Sequence, residues 1–386
     1  MSGSGHRRPL KILHIDPERN WGGGEAQVFG LLGYLVARGH RNDLVAHPNG
    51  PLFAKCENLA EQRYPVIIRN DLDLRCVPTL RRLIRTGHYD IVHFHTKRAH
   101  ALSVWLPRKL PKPKYLVTRR MDYPERRHWY TRYLYNRRVD GVIAISQSIA
   151  DLLVAAAVDR QKLRVIPSGI DARRYADRAR PAQRTNGATV VGCVGVLEER
   201  KGQRFLLEAA AKLKSEGLKL QYRIAGTGSL RRQLERDTAR LGLRDDVQFL
   251  GFVPDTTGFL AAIDLFVMPS LFEGLGVAAL EAMAAGKPVI ASRMGGLAES
   301  VVDGVTGLTV TPGDPVALAN AICRLLDDPA LRHRLGTSGR ELVVERFAQD
   351  RQVQRTEALY QIGLRGRGRP LRSTADLAAR ENIVGS

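Results

Sequence analysis

The chain has 386 residues, of which 44% are apolar and 26% charged, a composition typical of a globular protein with about two domains. No apolar run approaches the roughly 18–20 residues that a membrane span needs, and no apolar signal region follows the basic start, Met1–Pro9. These features exclude an integral membrane protein and predict a cytoplasmic one, with peripheral binding to the inner face of the cell membrane left open.

The net charge of +21 is concentrated in the first part of the chain. Residues 1–170 contain 29 lysines and arginines against 14 acidic residues, a net charge of +15, and the remainder carries +6. This asymmetry predicts an anionic partner: nucleic acid, an anionic membrane face or a phosphorylated acceptor. The four cysteines form no C-x-x-C pair, which argues against a disulfide framework and a zinc site.

Short runs rich in valine and isoleucine recur along the first half, and stretches of helical periodicity separate most of them. This alternation predicts parallel β-α-β units, and continuous apolar strands indicate a sheet that is covered on both faces. The predicted strands are Lys11–Ile15, Asp43–His47, Pro65–Arg69, Ile91–His95, Tyr115–Thr118, Gly141–Ile145 and Leu163–Ile166. Two of the predicted helices are Glu25–Arg38 and Ser146–Ala157.

The pattern begins again after a segment typical of a linker, Pro167–Asp171 and the arginine-rich stretch to about Ala188. The strands predicted here are Thr189–Leu197, Gln221–Ala225, Val247–Phe252, Leu265–Pro269, Pro288–Ala291 and Leu308–Thr311, with helices at Gln203–Ser215 and Ser229–Leu241.

We therefore predict an α/β protein of two facing, Rossmann-like, doubly wound parallel-sheet domains, residues 1–168 and 169–345. Residues 346–365 are expected to form a helix that returns to the first domain, and residues 366–386 a disordered tail. Ligands of open α/β sheets bind outside the carboxyl ends of the strands, so the facing loops are expected to form the site.

The segment with the clearest chemistry is Met268–Ser292, a strand, a loop with two glycines and a helix with two carboxylates eight residues apart. A helix that begins near Gly274 or Leu275 would direct free N–H groups at a phosphate. Glu281 lies among small and apolar residues, and a carboxylate there needs a partner such as a sugar hydroxyl.

This segment resembles the Glu-x7-Glu motif of the retaining glycosyltransferase family 4, which has the GT-B fold. The similarity continues through the stretch from Gly295 to Val310 and covers roughly residues 190–350. The resemblance implies that Glu273 lies near the donor sugar and its phosphates and that Glu281 holds the nucleotide ribose. It also implies that the backbone of Gly274, Leu275, Gly276 and Val277 surrounds the sugar and the diphosphate.

Other parts of the second half resemble the same family. The resemblance implies that Lys201 pairs with the diphosphate. Many relatives carry arginine where this chain has Val196, and Arg200 is a candidate for the second cation. The turn at Gly226 and the segment around Val253 resemble those that border the donor in relatives.

The first half contains three candidate groups at the ends of predicted strands. Gly22, Gly23 and Gly24 follow the first strand and would allow close approach of a ligand to the backbone. His95 ends another strand and could hydrogen-bond sugar hydroxyls or the anomeric region; the family that this chain resembles carries a comparable histidine at this place. His93 points to the same side, where a structural role is favoured; no carboxylate or cysteine accompanies the histidines, so no metal is expected.

Arg119 and Arg120 follow the fifth predicted strand, where they could meet a phosphate of the acceptor. The segment Arg126–Arg138 interleaves aromatic residues with cations, as an interfacial helix on an anionic membrane does. The same pattern fits nucleic acid, and it fits equally a helix with one buried face and solvated arginines.

The predicted reaction transfers a sugar from a nucleoside diphosphate donor to an acceptor hydroxyl, for example of a lipid-linked or lipopolysaccharide-type glycan. The residues suggest positioning and stabilisation of the departing diphosphate, with no enzyme nucleophile, metal or cofactor. Two alternatives remain: another nucleotide-sugar enzyme of the same fold, such as an epimerase, phosphorylase or synthase, and a basic nucleic-acid-binding protein. The latter lacks a recognisable nucleic-acid module and would bind with steep salt dependence.

Overall fold

The computed structural model describes residues 8–108, 113–123, 125, 127–176 and 188–365. The chain divides into two compact units. The first comprises residues 1–167 together with 352–386, and the second residues 168–351. The predicted tail, residues 366–386, and most of the arginine-rich part of the predicted linker lie outside the described residues.

The first unit contains a seven-stranded parallel sheet in the order β3-β2-β1-β4-β5-β6-β7. Its strands are β1 (Lys11–Asp16), β2 (Arg41–Ala46), β3 (Gln62–Pro65), β4 (Ile91–Phe94), β5 (Lys114–Arg119), β6 (Gly141–Ala144) and β7 (Leu163–Val165). Its helices are α1 (Gly23–Ala37), α2 (Pro51–Lys55), α3 (Val77–Thr86), α4 (Lys97–Ala101), α5 (Trp129–Arg137) and α6 (Gln147–Ala155). The order reverses direction at β1 and β4, which places the carboxyl ends of both strands at the switch point where such sheets bind ligands.

The second unit contains a six-stranded parallel sheet in the order β10-β9-β8-β11-β12-β13. Its strands are β8 (Thr189–Val194), β9 (Leu220–Ala225), β10 (Val247–Gly251), β11 (Leu265–Met268), β12 (Val289–Ser292) and β13 (Leu308–Val310). Its helices are α7 (Arg173–Ala176), α8 (Gln203–Ser215), α9 (Arg231–Arg240), α10 (Thr256–Ala261), α11 (Val277–Ala284), α12 (Leu297–Ser300), α13 (Pro315–Asp327) and α14 (Pro329–Arg346). Here the switch point lies between β8 and β11.

The last helix, α15 (Gln349–Arg365), belongs to the first unit from residue 352 onward. Its Val353, Leu359 and Tyr360 are buried in one cluster with Leu10 and Ile12 from the first strand region. Its Glu357 accepts a hydrogen bond from the ring of His40 at 3.2 Å. The core of the first unit is therefore completed by residues more than 300 positions away in sequence.

The α/β fold with two parallel-sheet units agrees with the prediction, and two local details differ from it. The third strand is Gln62–Pro65, not Pro65–Arg69, because its backbone pairs in register with Asp43–Ala46 of β2. The helix of the Glu-x7-Glu segment begins at Val277, since Gly276 adopts a φ of +81° and ends the preceding loop. No helix among the described residues combines the length and apolar character needed to cross a bilayer.

Candidate active site

At the carboxyl edge of the second sheet, two loops are held together by their backbones. The carbonyl of Arg200 accepts hydrogen bonds from the N–H groups of Leu271 and Phe272 at 2.8 and 3.2 Å. Gly202 has a φ of +65°, and a Cβ there would lie 2.0 Å from the carbonyl oxygen of Pro269. The loop after β8 and the loop after β11 are thereby fixed against one another.

The contact between the two loops brings together Lys201 and Glu273, which are 72 residues apart in sequence. The ammonium of Lys201 donates to Oε2 of Glu273, and both side chains are mostly buried. Lys201 also lies over the end of β8, since a Cβ on Gly195 would be 3.7 Å from its Cδ. Arg200 points differently: its Nε donates to Glu198 at 3.0 Å, so this candidate second cation does not join the pair.

The ends of β8, β9 and β10 are joined in a similar way. The N–H of Gly226 donates to the carbonyl of Gly251 at 2.7 Å, and a Cβ on Gly226 would lie 1.9 Å from the carbonyl oxygen of Gly195. Gly226 has a φ of +143°, which L side chains rarely adopt. Val253 follows two residues after Gly251 and is half-buried. The predicted donor residues Gly226 and Val253 thus lie at one edge of the sheet with Gly195.

Helix α11 begins at Val277, shortly after Glu273 in the loop that follows β11. No side chain caps its first turn. Gly274 and Gly276 pack against the loop after β12, where a Cβ on Gly296 would lie 2.0 Å from the carbonyl oxygen of Gly274. Leu275 is buried. The predicted residues Gly274–Val277 therefore form a tight backbone turn into a helix N-terminus, a geometry suited to an anion.

Glu281 lies one turn further along α11, in a polar group of its own. Its Oε2 accepts from the hydroxyl of Thr256 at 3.1 Å, and the Tyr175 hydroxyl lies 3.2 Å from that of Thr256. Burial raises the pKa of Glu281, and its bonds to Thr256 and Tyr175 act in the opposite direction. The carboxylate that the sequence could not pair thus has two hydroxyl partners.

The first unit presents its candidate residues at the carboxyl edge of its own sheet. Gly22 precedes α1, and Gly23 and Gly24 form its first residues. A Cβ on Gly24 would lie 3.5 Å from Cδ of Arg120, an ordinary van der Waals distance, so the arginine side chain lies beside the start of α1. His95 follows β4 and is almost fully buried. Its backbone N–H donates to the backbone carbonyl of Ile15 in β1.

The two neighbouring arginines face different surroundings. Arg119 is buried and pairs with Glu125 at 3.2 Å while donating to the carbonyl of Tyr123. Arg120 instead faces Asp16 and Glu25, and burial lowers its pKa. Among the described residues, no hydrogen-bond partner is found for its Nε and Nη1 atoms. Of the predicted arginine pair, Arg120 therefore shares the glycine edge and Arg119 does not.

Three buried groups at this edge were missed by the sequence analysis. Burial, with a further contribution from Glu25, raises the pKa of Asp16 to about 7, and burial also raises that of Glu25. His14 lies 3.0 Å from His95 through their ring nitrogens. The available signal was positional: Asp16 ends the first strand, and Glu25 directly follows the three glycines.

Two family models match the chain. The model of Glycosyltransferase Family 4 matches residues 21–174, and that of Glycosyl transferases group 1 matches residues 176–342. The chain is 31% identical to the lipopolysaccharide core biosynthesis glycosyltransferase LpsE of Rhizobium meliloti, across 88% of this chain and 96% of LpsE. It is 33% identical to LpsD of the same organism, across 88% of this chain and 95% of LpsD.

The solved structures agree at the level of the fold. The structure of Anabaena HepE in complex with UDP and glucose superposes with a TM-score of 0.78 at 24% identity, covering 91% of this chain and 99% of HepE. The family models, the relatives of full length and the two parallel sheets lead to one assignment. The chain belongs to glycosyltransferase family 4 and is a sugar-transferring enzyme with the GT-B fold.

Proposed function

We propose that the enzyme transfers a sugar from a nucleoside diphosphate sugar to a glycan hydroxyl with retention of the anomeric configuration. The observation that supports this most directly is the Lys201–Glu273 pair at the glycine-lined carboxyl edge of the second sheet. A lysine there offers a cation to a diphosphate, and the tight glycine turns let phosphates approach the backbone.

In this proposal the second unit holds the donor. Lys201 exchanges its contact with Glu273 for a phosphate oxygen, and the start of α11 adds its uncapped amide groups and helix dipole. Both stabilise the negative charge that grows on the diphosphate as the sugar leaves. Glu273 is then free to accept from a sugar hydroxyl, and Glu281, beside Thr256, binds the ribose.

Retention is proposed from the resemblance to a retaining family. The acceptor oxygen bonds to the anomeric carbon on the face that the diphosphate leaves, and its proton passes to a phosphate oxygen of the leaving group. This path requires no enzyme nucleophile and no metal. We expect EDTA to leave turnover unchanged, and loss of turnover with recovery on adding Mg²⁺ or Mn²⁺ would overturn that part.

For the acceptor, we propose a lipid-linked or lipopolysaccharide-type glycan at the inner face of the cell membrane. LpsE and LpsD are named for lipopolysaccharide core biosynthesis, and the first 170 residues carry most of the positive charge. Trp129 at the start of α5 is 69% exposed and Leu72 is 76% exposed, which suits an interfacial contact. Failure to bind vesicles containing anionic phospholipid at low salt would overturn the membrane part.

The donor is tested by release of nucleoside diphosphate from UDP-, GDP- and ADP-sugars, with and without an acceptor extract. We expect turnover of one donor and a loss of at least about 100-fold in Lys201→Ala and Glu273→Ala. Lys212→Ala is the matched control, since Lys212 also pairs with a glutamate, Glu216, but on an exposed helix surface. No turnover together with no thermal protection by any nucleotide would overturn the proposal.

A further inference from the structure

Three histidines form a buried cluster at the carboxyl edge of the first sheet: His14 in β1, His93 in β4 and His95 directly after it. Hydroxyls contact both nitrogens of His93, Tyr360 at 2.6 Å on Nδ1 and Thr118 at 2.8 Å on Nε2. Its ring packs 4.0 Å, centroid to centroid, from that of His95. These contacts fix the orientation of the His93 ring, which packs against one side of His95.

The protonation of the other two rings follows from Asn42. The Asn42 Nδ2 group lies 3.2 Å from the carbonyl oxygen of Leu32 and 3.4 Å from that of Leu59. Carbonyl oxygens only accept hydrogen bonds, so these contacts fix which end of the amide is the nitrogen. The Asn42 Oδ1 atom, 3.3 Å from Nε2 of His14, is then an acceptor, and His14 must carry its proton on Nε2.

A neutral imidazole with a proton on Nε2 has a lone pair on Nδ1. His14 is neutral, because burial lowers its pKa to about 4. Its Nδ1 atom lies 3.0 Å from Nε2 of His95, and the rings are within 17° of parallel with centroids 5.2 Å apart. This edge-to-edge contact is a hydrogen bond in which His95 Nε2–H donates to His14 Nδ1.

The remaining nitrogen of His95 is thereby defined. Burial lowers the pKa of His95 well below its ordinary value, with His93 and His14 adding to the shift, so the ring is neutral and Nδ1 carries a lone pair. This atom is buried, and none of the described residues provides a hydrogen-bond partner for it. Leaving a buried acceptor unpaired destabilises the folded protein, and a hydrogen bond from a ligand hydroxyl would recover that loss.

We propose that Asn42 and His14 are positioning residues that fix His95 as the Nε2–H tautomer, so that its Nδ1 accepts a hydrogen bond from a sugar hydroxyl bound at the carboxyl edge of the first sheet. The tautomer assignment stands on the protein alone, whereas the sugar contact rests on the proposed function. Because protein atoms cover Nδ1, this contact requires neighbouring side chains to move when the sugar binds. A metal ion on these histidines would have to displace the shared His14–His95 proton.

The test is ¹⁵N NMR of protein labelled selectively at histidine, since protonated and unprotonated imidazole nitrogens resonate far apart. We expect Nε2 of His14 and of His95 to be protonated and both Nδ1 atoms unprotonated, with His95→Gln and His14→Gln used for assignment. A proton on Nδ1 of His95 would overturn the proposal that Asn42 and His14 fix the tautomer of His95. This result does not depend on turnover, so it is distinguishable from failure of the donor assay.

Two matched variants separate positioning from mere structure. In His14→Gln the amide oxygen can accept from His95 and should retain its tautomer. In His14→Leu no acceptor remains, and His95 should become a mixture of tautomers with kcat at least about 5-fold below that of His14→Gln, at equal thermal stability. An unchanged tautomer in His14→Leu would overturn the role of His14.

The sugar contact is tested by adding UDP-glucose, GDP-mannose, the free hexoses or the nucleoside diphosphates alone to the labelled protein. We expect the Nδ1 resonance of His95 to move with a compound that carries a hexose, free or in a sugar nucleotide, and to stay unchanged with UDP or GDP alone. An Nδ1 resonance that ignores every sugar while turnover proceeds would overturn the hydroxyl contact and leave the tautomer assignment standing.

Discussion

The carboxyl edges of the two sheets differ in the chemical groups that form them. In the first unit the edge consists of buried titratable side chains, among them His14, Asp16, His95 and Arg120. In the second it consists mainly of backbone, with glycines at positions where a Cβ would meet a carbonyl oxygen within about 2 Å, as at Gly226. His333 is the only one of the chain's ten histidines in the second unit, and it is exposed.

This difference shows two ways of making a polar ligand site at the same topological position. Backbone groups cannot titrate, so the backbone donors at the edge of the second unit stay the same over a wide pH range. Side chains that burial holds in the neutral form offer specific hydrogen-bond donors and acceptors, but their protonation state changes with pH. The predicted consequences are therefore different for the two units.

The largest expected effect is a selective loss of stability of the first unit in acid. The pKa of His14 is about 4 in the folded protein against an ordinary 6.5, so below pH 6.5 the unfolded state takes up the proton first. Stability should fall as the pH falls from about 6.5 to about 4, by about 2 kcal/mol at pH 5 for His14 alone. Burial lowers the pKa of His93, His95 and His100 as well.

Hydrogen exchange of peptides from each unit, at pH 7.5 and pH 5 after correction for the intrinsic rate, measures this directly. The first unit should lose protection at pH 5 and the second should keep it. Equal loss in both units would contradict the contrast between their edges.

The next effect is specific to the second unit. Gly226→Ala places a Cβ against the carbonyl of Gly195 and should destabilise the second unit by more than about 3 kcal/mol, with loss of turnover. Gly242→Ala is the matched control: it has a φ of +70° but open space around it, so about 1 kcal/mol is expected. Urea unfolding followed in both variants checks this, and similar losses would show that backbone strain alone decides.

An effect of opposite sign to that of His14 is expected at Asp16. Its folded pKa is about 7 against an ordinary 3.8, so above pH 3.8 the unfolded state loses the proton first and the folded state is progressively disfavoured. Asp16→Asn keeps an oxygen for the Glu18 N–H and removes this penalty. The difference of about 3 pKa units corresponds to about 4 kcal/mol at pH 8, so the variant should gain up to that amount there and only about 0.5 kcal/mol at pH 4. Thermal unfolding at both pH values decides, and a destabilised variant at pH 8 would show that Arg120 needs the charge.

The smallest effect concerns the contact between α15 and the histidine cluster. Tyr360→Phe removes the hydroxyl at Nδ1 of His93 and should cost about 1–2 kcal/mol in the first unit. Tyr133→Phe, at a tyrosine that is 39% exposed, should be neutral within about 0.5 kcal/mol. A neutral Tyr360→Phe would mean that His93 is held by Thr118 and packing alone.

The sequence predicted the fold well because strands buried on both faces show as continuous apolar runs. All thirteen predicted strands have a counterpart in the same order, and the fold class is confirmed. The exception in position, β3, is an edge strand whose pairing with β2 is set by backbone register, while its own residues, Gln62–Pro65, form no apolar run. Hydrophobic pattern carries little information about such a strand.

The candidate site was predictable where local motifs mark it and not where distant residues meet. Glu281 attracted notice because a carboxylate among apolar residues is conspicuous, although its partner Thr256 is 25 residues earlier. The contact between His14 and His95 joins residues that are 81 positions apart, and no local sequence motif around either histidine indicates it. The roles of Lys201 and Glu273 in donor binding stay predictions.

Helix α15 has a consequence for the order in which the chain folds. Its Glu357 contacts His40, a separation of 317 residues, and its Tyr360 contacts His93. A ribosome at about 5–20 residues per second therefore delivers all of the second unit, residues 168–351, before the core of the first can close. During that interval the apolar face that later receives α15 is exposed, so the part made first is the part that is finished last and has the longest need of protection from aggregation.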